Sequence, residues 1–328
     1  MRLLTVTEGE AGQRLDKMLA KYMSQAGKGF LYKMMRKKNI TLNGKRCHGS
    51  ERLEAGDEIR LFMAEETIET FTGRESGKPT GTADLPRPDI VYEDGHILIV
   101  NKPSGLLSQK AREQDISLND LIFHYLVSSG SLSPESLRAF KPSICNRLDR
   151  NTSGLVVAGK SLAGLQIMNR AFKERTIHKY YQCIVKGRIP VAQRIEGFLV
   201  KDRAANRVRI CGEPTEDGAP IATEYRPLAF GGGLTLLEVV LITGRSHQIR
   251  AHLASIGHPI AGDGKYGDEG LNRSLERRYR IRSQMLHSCR LVMPMGLEAP
   301  LEGLSGREFT APLPPEFERV MAGEQIRP

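Results

Sequence analysis

The 328-residue sequence contains no tryptophan, no low-complexity tract and no tandem repeat. It holds only five cysteines, Cys47, Cys145, Cys183, Cys211 and Cys289, an odd number without a single CxxC pair. That pattern argues against a zinc ribbon or a disulfide framework and suits a reduced, cytoplasmic interior. No apolar run approaches the roughly 20 residues that span a bilayer, so no membrane association is expected. The opening Met1-Arg-Leu-Leu-Thr-Val-Thr-Glu lacks the apolar core of a secretory signal, which again points to the cytoplasm. His247 and His252 are five apart and do not share a helix face as the ligands of an HExxH site would. No metal site is expected.

What is abundant is positive charge. Lys plus Arg number 48 against 38 Asp plus Glu, a net charge of +10. The simplest partner for such a chain is a polyanion, above all nucleic acid, although a basic enzyme without one has the same composition. The length allows two domains and a well-filled core.

The first 63 residues read as one small module. Leu15, Met18, Leu19 and Tyr22 recur at helical spacing and predict an amphipathic helix over about 13–25, broken by Gly27 and Gly29. A second helix turns Leu31, Met34 and Met35 inward and carries Lys33, Arg36, Lys37 and Lys38. Ile40-Thr-Leu alternates as a strand, and Asn43-Gly44 is a type I′ hairpin signal followed by Lys45 and Arg46. Leu53 to Phe62 closes the unit. Residues 64–87, punctuated by Gly73, Gly77, Pro79, Gly81 and Pro86, read as a linker. The larger part of the chain, 88–318, follows, with a short tail over 319–328.

In this larger part, Ile90 to Gly105 reads as strand, turn and strand, ended by the Lys102-Pro103-Ser104-Gly105 turn. Leu155-Val-Val-Ala, between Gly154 and Gly159, is a buried strand, and Ser161 caps a helix to about Lys173 with Leu165, Met168 and Phe172 inward. Alternation in Lys179 to Gly187 puts Tyr181, Cys183 and Val185 on one strand face and Tyr180 on the other. Lys201 to Arg209 is a basic hairpin, and Leu234-Thr-Leu-Leu-Glu-Val-Val-Leu is another strand. Ser246 can cap a helix to about Ser255, with Ile249, Leu253 and Ile256 toward the core and His247 and Arg250 together on another face.

Two nucleotide-binding formulas occur and are rejected. Gly154-Leu-Val-Val-Ala-Gly159-Lys160-Ser161 fits GxxxxGK[ST], but its four intervening residues form a strand rather than a loop. Gly262-Asp-Gly264-Lys-Tyr-Gly267 fits GxGxxG, but no full strand precedes it and no clear helix follows.

The centre of the sequence is Asn146-Arg147-Leu148-Asp149-Arg150-Asn151-Thr152-Ser153-Gly154. It sets one carboxylate between two arginines on a loop pinned to a rigid strand, where a reactive group can be held in place. Taken alone, it is also what an exposed ion pair in a turn looks like. The whole stretch resembles the signature of the RluA-type pseudouridine synthases, which isomerise uridine in RNA. Further likeness comes from Lys179-Tyr180-Tyr181 and from Gly244-Arg-Ser-His-Gln-Ile-Arg-Ala-His-Leu253 continuing to Gly262-Asp263. The N-terminal module resembles the S4-type RNA-binding domain. One position departs from the pattern: many family members carry His where Asn146 stands, which questions any role there for a ring nitrogen.

The resemblance implies an α+β fold, an S4-like module followed by a domain built on a mixed, mainly antiparallel sheet with flanking helices. It implies Asp149 as the catalytic carboxylate, Arg250 as its basic partner, and Tyr181 as a base or a packing surface for uracil. Arg147 would fill the gap left by an extruded base. Lys33, Arg36, Lys37, Lys38, Lys45, Arg46, Arg245 and His247 would bind RNA. Large-subunit ribosomal RNA is the expected substrate of a cytoplasmic, cofactor-independent monomer. The alternatives are transfer RNA as the substrate, a non-catalytic RNA-binding or ribosome-assembly protein, and a nucleoside or glycoside hydrolase, for which Asp149 lacks an evident second carboxylate.

Overall fold

The computed structural model describes residues 1–7, 10–72, 85–132, 140–202 and 207–327. The N-terminal unit contains β1 (Arg2–Thr5), α1 (Leu15–Tyr22), α2 (Lys28–Arg36), β2 (Ile40–Leu42), β3 (Lys45–Arg46), β4 (Glu58–Leu61) and α3 (Glu65–Thr72). Its four strands form an antiparallel sheet in the order β1-β4-β2-β3. The predicted stripe of α1, Leu15, Met18, Leu19 and Tyr22, is buried. Leu31 and Met35 of α2 join the same core, Met34 being only partly covered, and Gly29 lies within this helix rather than before it. Asn43 and Gly44 both have positive φ, 50° and 72°, as a type I′ turn requires.

Residues 65–72 were expected to be linker and are instead helical. Ile68 is fully buried in the core that α1 and α2 form, and the Phe71 ring packs on Phe30 at 4.4 Å. Two apolar residues three apart suffice to dock a short helix, although the surrounding Glu and Thr make the composition look like a connector. Gly73, Gly77, Pro79 and Gly81 lie outside the described residues.

The second unit contains, in order, β5 (Ile90–Glu93), β6 (Ile97–Lys102), α4 (Leu118–Ser128), β7 (Ser143–Ile144), β8 (Ser153–Gly159), α5 (Leu162–Glu174), β9 (His178–Lys186), β10 (Gln193–Asp202) and β11 (Arg207–Cys211). It continues with β12 (Ala219–Gly231), β13 (Leu234–Leu241), α6 (Gln248–Ser255), α7 (Glu269–Tyr279), β14 (Leu286–Val292), β15 (Glu308–Thr310) and α8 (Pro315–Gly323). The main path of its sheet runs β11-β10-β12-β13-β9-β14-β8-β6-β5, with β15 beside β14 and β7 beside β8. Every pairing described is antiparallel except that of β14 with β8 at the centre. The mixed, mainly antiparallel sheet is as expected. The two arms of the basic hairpin, β10 and β11, pair as read from the sequence, while residues 203–206 between them lie outside the described residues.

Both faces of this sheet are covered, which is why its central strands read as unbroken apolar runs. On one face Leu98, Val100, Val156, Ala158, Tyr181 and Leu237 pack with Leu118 and Ile122 of α4 and Ile249 and Leu253 of α6. On the other, Ile97, Ile99, Leu155 and Val157 meet Ile167, Met168 and Ala171 of α5. Ile184, Leu234 and Leu236 meet Leu275 of α7 and Phe317 and Val320 of α8. Ser161 caps α5 as predicted, accepting from Gly164 N at 3.0 Å, but Leu165 and Phe172 are only half-buried and the inward stripe is Ile167, Met168 and Ala171.

Three local expectations are corrected. Ser246 does not cap α6; His247, in the left-handed region at φ 56°, occupies that position. The Gln248 side chain closes the turn instead, accepting from Thr243 Oγ1 at 2.8 Å and Arg245 N at 3.1 Å. A helix does follow the GxGxxG segment: α7 starts at Glu269, its end capped by Asp268, which accepts from Leu271 N at 2.8 Å. Finally, the boundary at 318/319 cuts through α8, and Ile326 beyond it is buried against the sheet. The 154–159 segment is part of β8, so the P-loop formula stays rejected.

Candidate active site

The loop between Ile144 and Ser153 joins β7 to β8 and carries Arg147-Leu148-Asp149-Arg150. Asn146 ties its start to β8, donating from Nδ2 to Leu155 O at 3.3 Å while Oδ1 accepts from Val157 N at 2.8 Å. An amide does this with one donor and one acceptor, so the side chain is spent on the backbone. Gly154, the second residue of β8, has φ 113°, and a Cβ there would lie 2.2 Å from Ser288 O of β14. Only glycine admits that approach.

A second loop, 102–108, clamps the first. Ser108 Oγ donates to Leu148 O at 2.8 Å and accepts from Leu148 N at 3.1 Å. Ser104 Oγ donates to Asn151 O, and Arg150 Nε to Gly105 O, both at 3.0 Å. Lys102 is wholly buried and donates to Pro103 O, Leu106 O and Arg150 O at 2.9, 2.9 and 3.0 Å. Burial pushes its pKa down to about 7, with the Asp149 carboxylate pushing back. Three acceptors match the three N–H groups of an ammonium, and a neutral amine would set its lone pair against one carbonyl. Lys102 is thus an internal brace for the Asp149 loop, a role consistent with the turn read from its sequence.

Asp149 itself is partly exposed, its side chain 26% accessible. Arg250, from α6, donates to its Oδ2 from Nη1 at 2.9 Å. The same guanidinium is gripped from behind by Asp263, with Nε to Oδ2 at 2.7 Å and Nη2 to Oδ1 at 2.9 Å. Burial lowers the Arg250 pKa, but Asp263 and Asp149 more than offset it, leaving it raised. Burial likewise works against the Asp263 carboxylate, and Arg250 holds it below the ordinary range all the same.

His247 approaches Asp149 Oδ2 with Nε2 at 3.9 Å. Its Nδ1 lies 3.0 Å from the Tyr266 hydroxyl, whose oxygen accepts from Val208 N at 2.9 Å. The hydroxyl hydrogen is therefore free to point at Nδ1, which leaves the ring proton on Nε2, facing the carboxylate. Burial lowers the His247 pKa, against the pull of Asp149. Tyr181 is buried, and its phenol is pushed well above its ordinary value by burial, the nearby Asp149 acting in the same direction. Tyr180 faces the other way, under the Arg290 guanidinium at 3.7 Å.

These groups open on a cavity of about 1010 Å³. Asp149, Tyr181, Arg250, Arg147, Arg245 and His247 all line it, so the structure brings together every site residue predicted for the larger domain. Among the described lining residues Asp149 is the single acidic side chain, against lysines and arginines such as Lys173, Lys201, Arg207 and Arg282. Arg147 is exposed and has no ion-pair or hydrogen-bond partner among the described residues. Lys33, Arg36, Lys37, Lys38, Lys45 and Arg46 are exposed on α2, its end and β3, and none of them lines the cavity. Sequence reasoning gave no role to Asp263, Tyr266 or Ser108; the one available signal was Gly262-Asp263 within the third motif. Among the described residues no group of three His, Cys, Asp or Glu side chains is placed to hold a metal, and no helix is long and apolar enough to cross a membrane.

The family model for RNA pseudouridylate synthase matches residues 96–255. The ribosomal large subunit pseudouridine synthase C of Vibrio cholerae serotype O1 is 31% identical over 316 residues, covering 92% of this chain and 94% of that protein. The protein of the same name from Escherichia coli K12 is 31% identical over 321 residues, 93% of this chain and 94% of its own. The solved structure of human RNA pseudouridylate synthase domain containing 4 aligns with a TM-score of 0.58 and 21% identity, over 73% of this chain and 94% of that one, a likeness of fold.

Proposed function

Because the chain belongs to the RNA pseudouridylate synthase family, we propose that it isomerises uridine in large-subunit ribosomal RNA with Asp149 as the catalytic carboxylate. One observation carries this reading. The single carboxylate among the described residues of a cation-lined cavity is held by Arg250 at 2.9 Å beside a buried tyrosine.

Isomerisation breaks the N1–C1′ bond of uridine, turns the uracil, and joins C5 to C1′. The C5 proton leaves and N1 takes one up, so no oxidant or reductant enters. Asp149 stabilises or captures the electron-poor C1′. Arg250 orients the carboxylate. A neutral, buried Tyr181 phenol suits packing on the uracil ring better than proton abstraction in the resting enzyme. A stacked uracil must leave its helix to reach Asp149, at a cost of a few kcal/mol. The flat Arg147 guanidinium, without a partner among the described residues, is suited to fill the gap, with Arg245 and His247 contacting the strand alongside.

The N-terminal unit acts as the S4-like RNA-binding module. Its exposed Lys33, Arg36, Lys37, Lys38, Lys45 and Arg46 grip phosphates and raise the local concentration of RNA. Ribosomal rather than transfer RNA is favoured by the names of the relatives that match over nine-tenths of the chain. The protein works as a monomer in the cytoplasm.

The test is release of tritium from RNA labelled at uracil C5, on total ribosomal and total transfer RNA separately, with wild type and Asp149→Asn. Release from ribosomal RNA by wild type only is the expected result. Release from transfer RNA alone would move the substrate. No release from either, with tight and salt-sensitive binding, would leave an RNA-binding protein without this chemistry.

A further inference from the structure

Three lysines of the second unit have side chains almost wholly removed from solvent, and two of them are satisfied. Lys102 meets three carbonyls, and Lys160 pairs with Glu93 at 2.6 Å. The third, Lys179 on β9, is 8% exposed and lines the cavity. Among the described residues no carboxylate or hydrogen-bond acceptor reaches its ammonium. Its Nζ is not among the fully covered unpartnered side-chain atoms, so the ammonium of this largely buried side chain opens on the cavity and is held there by no group of the fold among the described residues. Here the missing partner has room to come from the cavity.

The surroundings define its chemistry. Arg175, at the left-handed end of α5 with φ 63°, also lines the cavity, and its charge acts on Lys179 after burial in lowering the ammonium pKa. Two cations thus share one wall without an acid between them. Gly244 stands beside it: a Cβ there would lie 3.7 Å from the Lys179 Nζ, in ordinary van der Waals contact, so the glycine keeps a side chain away from the ammonium. Lys179 precedes Tyr181 by two residues and points to the same strand face, roughly 7 Å along it. That is within one nucleotide's reach of the base pocket.

We infer that Lys179, with Arg175, forms a phosphodiester subsite that anchors the RNA backbone next to the reacting nucleotide. This rests on the proposed RNA substrate. The lysine is a positioning residue: it completes its own environment only when RNA is bound, and fixes the register in which a nucleotide meets Asp149.

The test uses the full chain and single-stranded RNA oligonucleotides containing one uridine, each with one linkage replaced by a neutral methylphosphonate. Binding is read by fluorescence anisotropy over a range of salt. Wild type should lose affinity when one linkage beside the uridine is neutral. Lys179→Met should bind all-phosphate RNA more weakly, with a log K against log salt slope shallower by about 0.7, and should ignore the methylphosphonate at that linkage. Lys179→Arg should recover the discrimination. A Lys179→Met protein with the wild-type slope and wild-type linkage preference would overturn the subsite. So would a Lys179→Met protein that melts well below wild type, since the ammonium would then be part of the fold's own framework. Failure of wild type to release tritium would remove the isomerase reading and leave this binding result to stand or fall alone.

Discussion

Asp263 holds both nitrogens of Arg250 that Asp149 leaves free, with Nε to Oδ2 at 2.7 Å and Nη2 to Oδ1 at 2.9 Å. The guanidinium therefore cannot swing, and its remaining Nη1 is fixed toward Asp149. The pair is buried, with side-chain exposures of 7% and 0%. Removing one member of such a pair strands the other. Asp263→Asn is expected to lower stability by about 3–5 kcal/mol, read as a shift of the urea midpoint, and to reduce turnover more than RNA affinity. A variant of wild-type stability would show that Arg250 finds support elsewhere.

Arg147 should matter only where a base has to be pulled from a stack. Arg147→Ala is expected to lose more activity on folded RNA than on an unstructured oligonucleotide carrying the same uridine. Equal losses on both substrates would argue against a wedge and for simple phosphate binding.

The exposed cations of the N-terminal unit should act on affinity and not on chemistry. Replacing Lys33, Arg36 and Lys37 together by Gln is expected to flatten the salt dependence of binding by about 0.7–0.9 for each phosphate no longer neutralised, with turnover at saturating RNA unchanged. An unaltered slope would make this a solvated helix face.

His287 gives the fold a pH dependence of its own. It is fully buried, Nδ1 accepting from Ser153 Oγ at 2.8 Å, and Nε2 lies 3.3 Å from Ala311 O. Burial pushes its pKa down from 6.5 to about 4, the Ala311 carbonyl pushing back. Between those values the unfolded chain binds a proton that the folded one refuses. Stability is therefore whole above pH 6.5 and falls as pH drops toward 4, by a few kcal/mol from this group. The difference in urea midpoint between wild type and His287→Gln should change over that window; a constant difference would mean that His287 is protonated in the fold.

Much of this was legible from the sequence because it rests on local rules. Period-two alternation separated Tyr181 from Tyr180, and the apolar run after Gly154 marked β8 as a strand covered on both faces. Arg147-Leu-Asp-Arg-Asn-Thr-Ser-Gly154 stood out as a single ordered motif. What escaped was produced by meetings of distant segments. Lys102 reads only as the start of a turn until the segments 103–108 and 146–152 converge and surround its ammonium with carbonyls. Asp263 is 13 residues from Arg250 across a turn that follows no period. In α3 and α8 a few apolar residues dock helices that composition alone assigned to a linker and a tail, and α7 begins with Glu269-Gly270, a poor helix signal rescued by the Asp268 cap.

The strand order carries a consequence for the life of the chain. Asp149 is held at the head of β8 and Tyr181 on β9, yet these strands are not neighbours: β14, formed by residues 286–292, lies between them. The spacing of β8 from β9, about two strand spacings or some 9.5 Å, is thus set by residues 286–292. A ribosome has made both the carboxylate and the tyrosine long before it makes their spacer. On the role proposed for the N-terminal unit, the emerging protein would hold RNA with its first 72 residues before β14 has been made, so capture would precede competence in the order of synthesis.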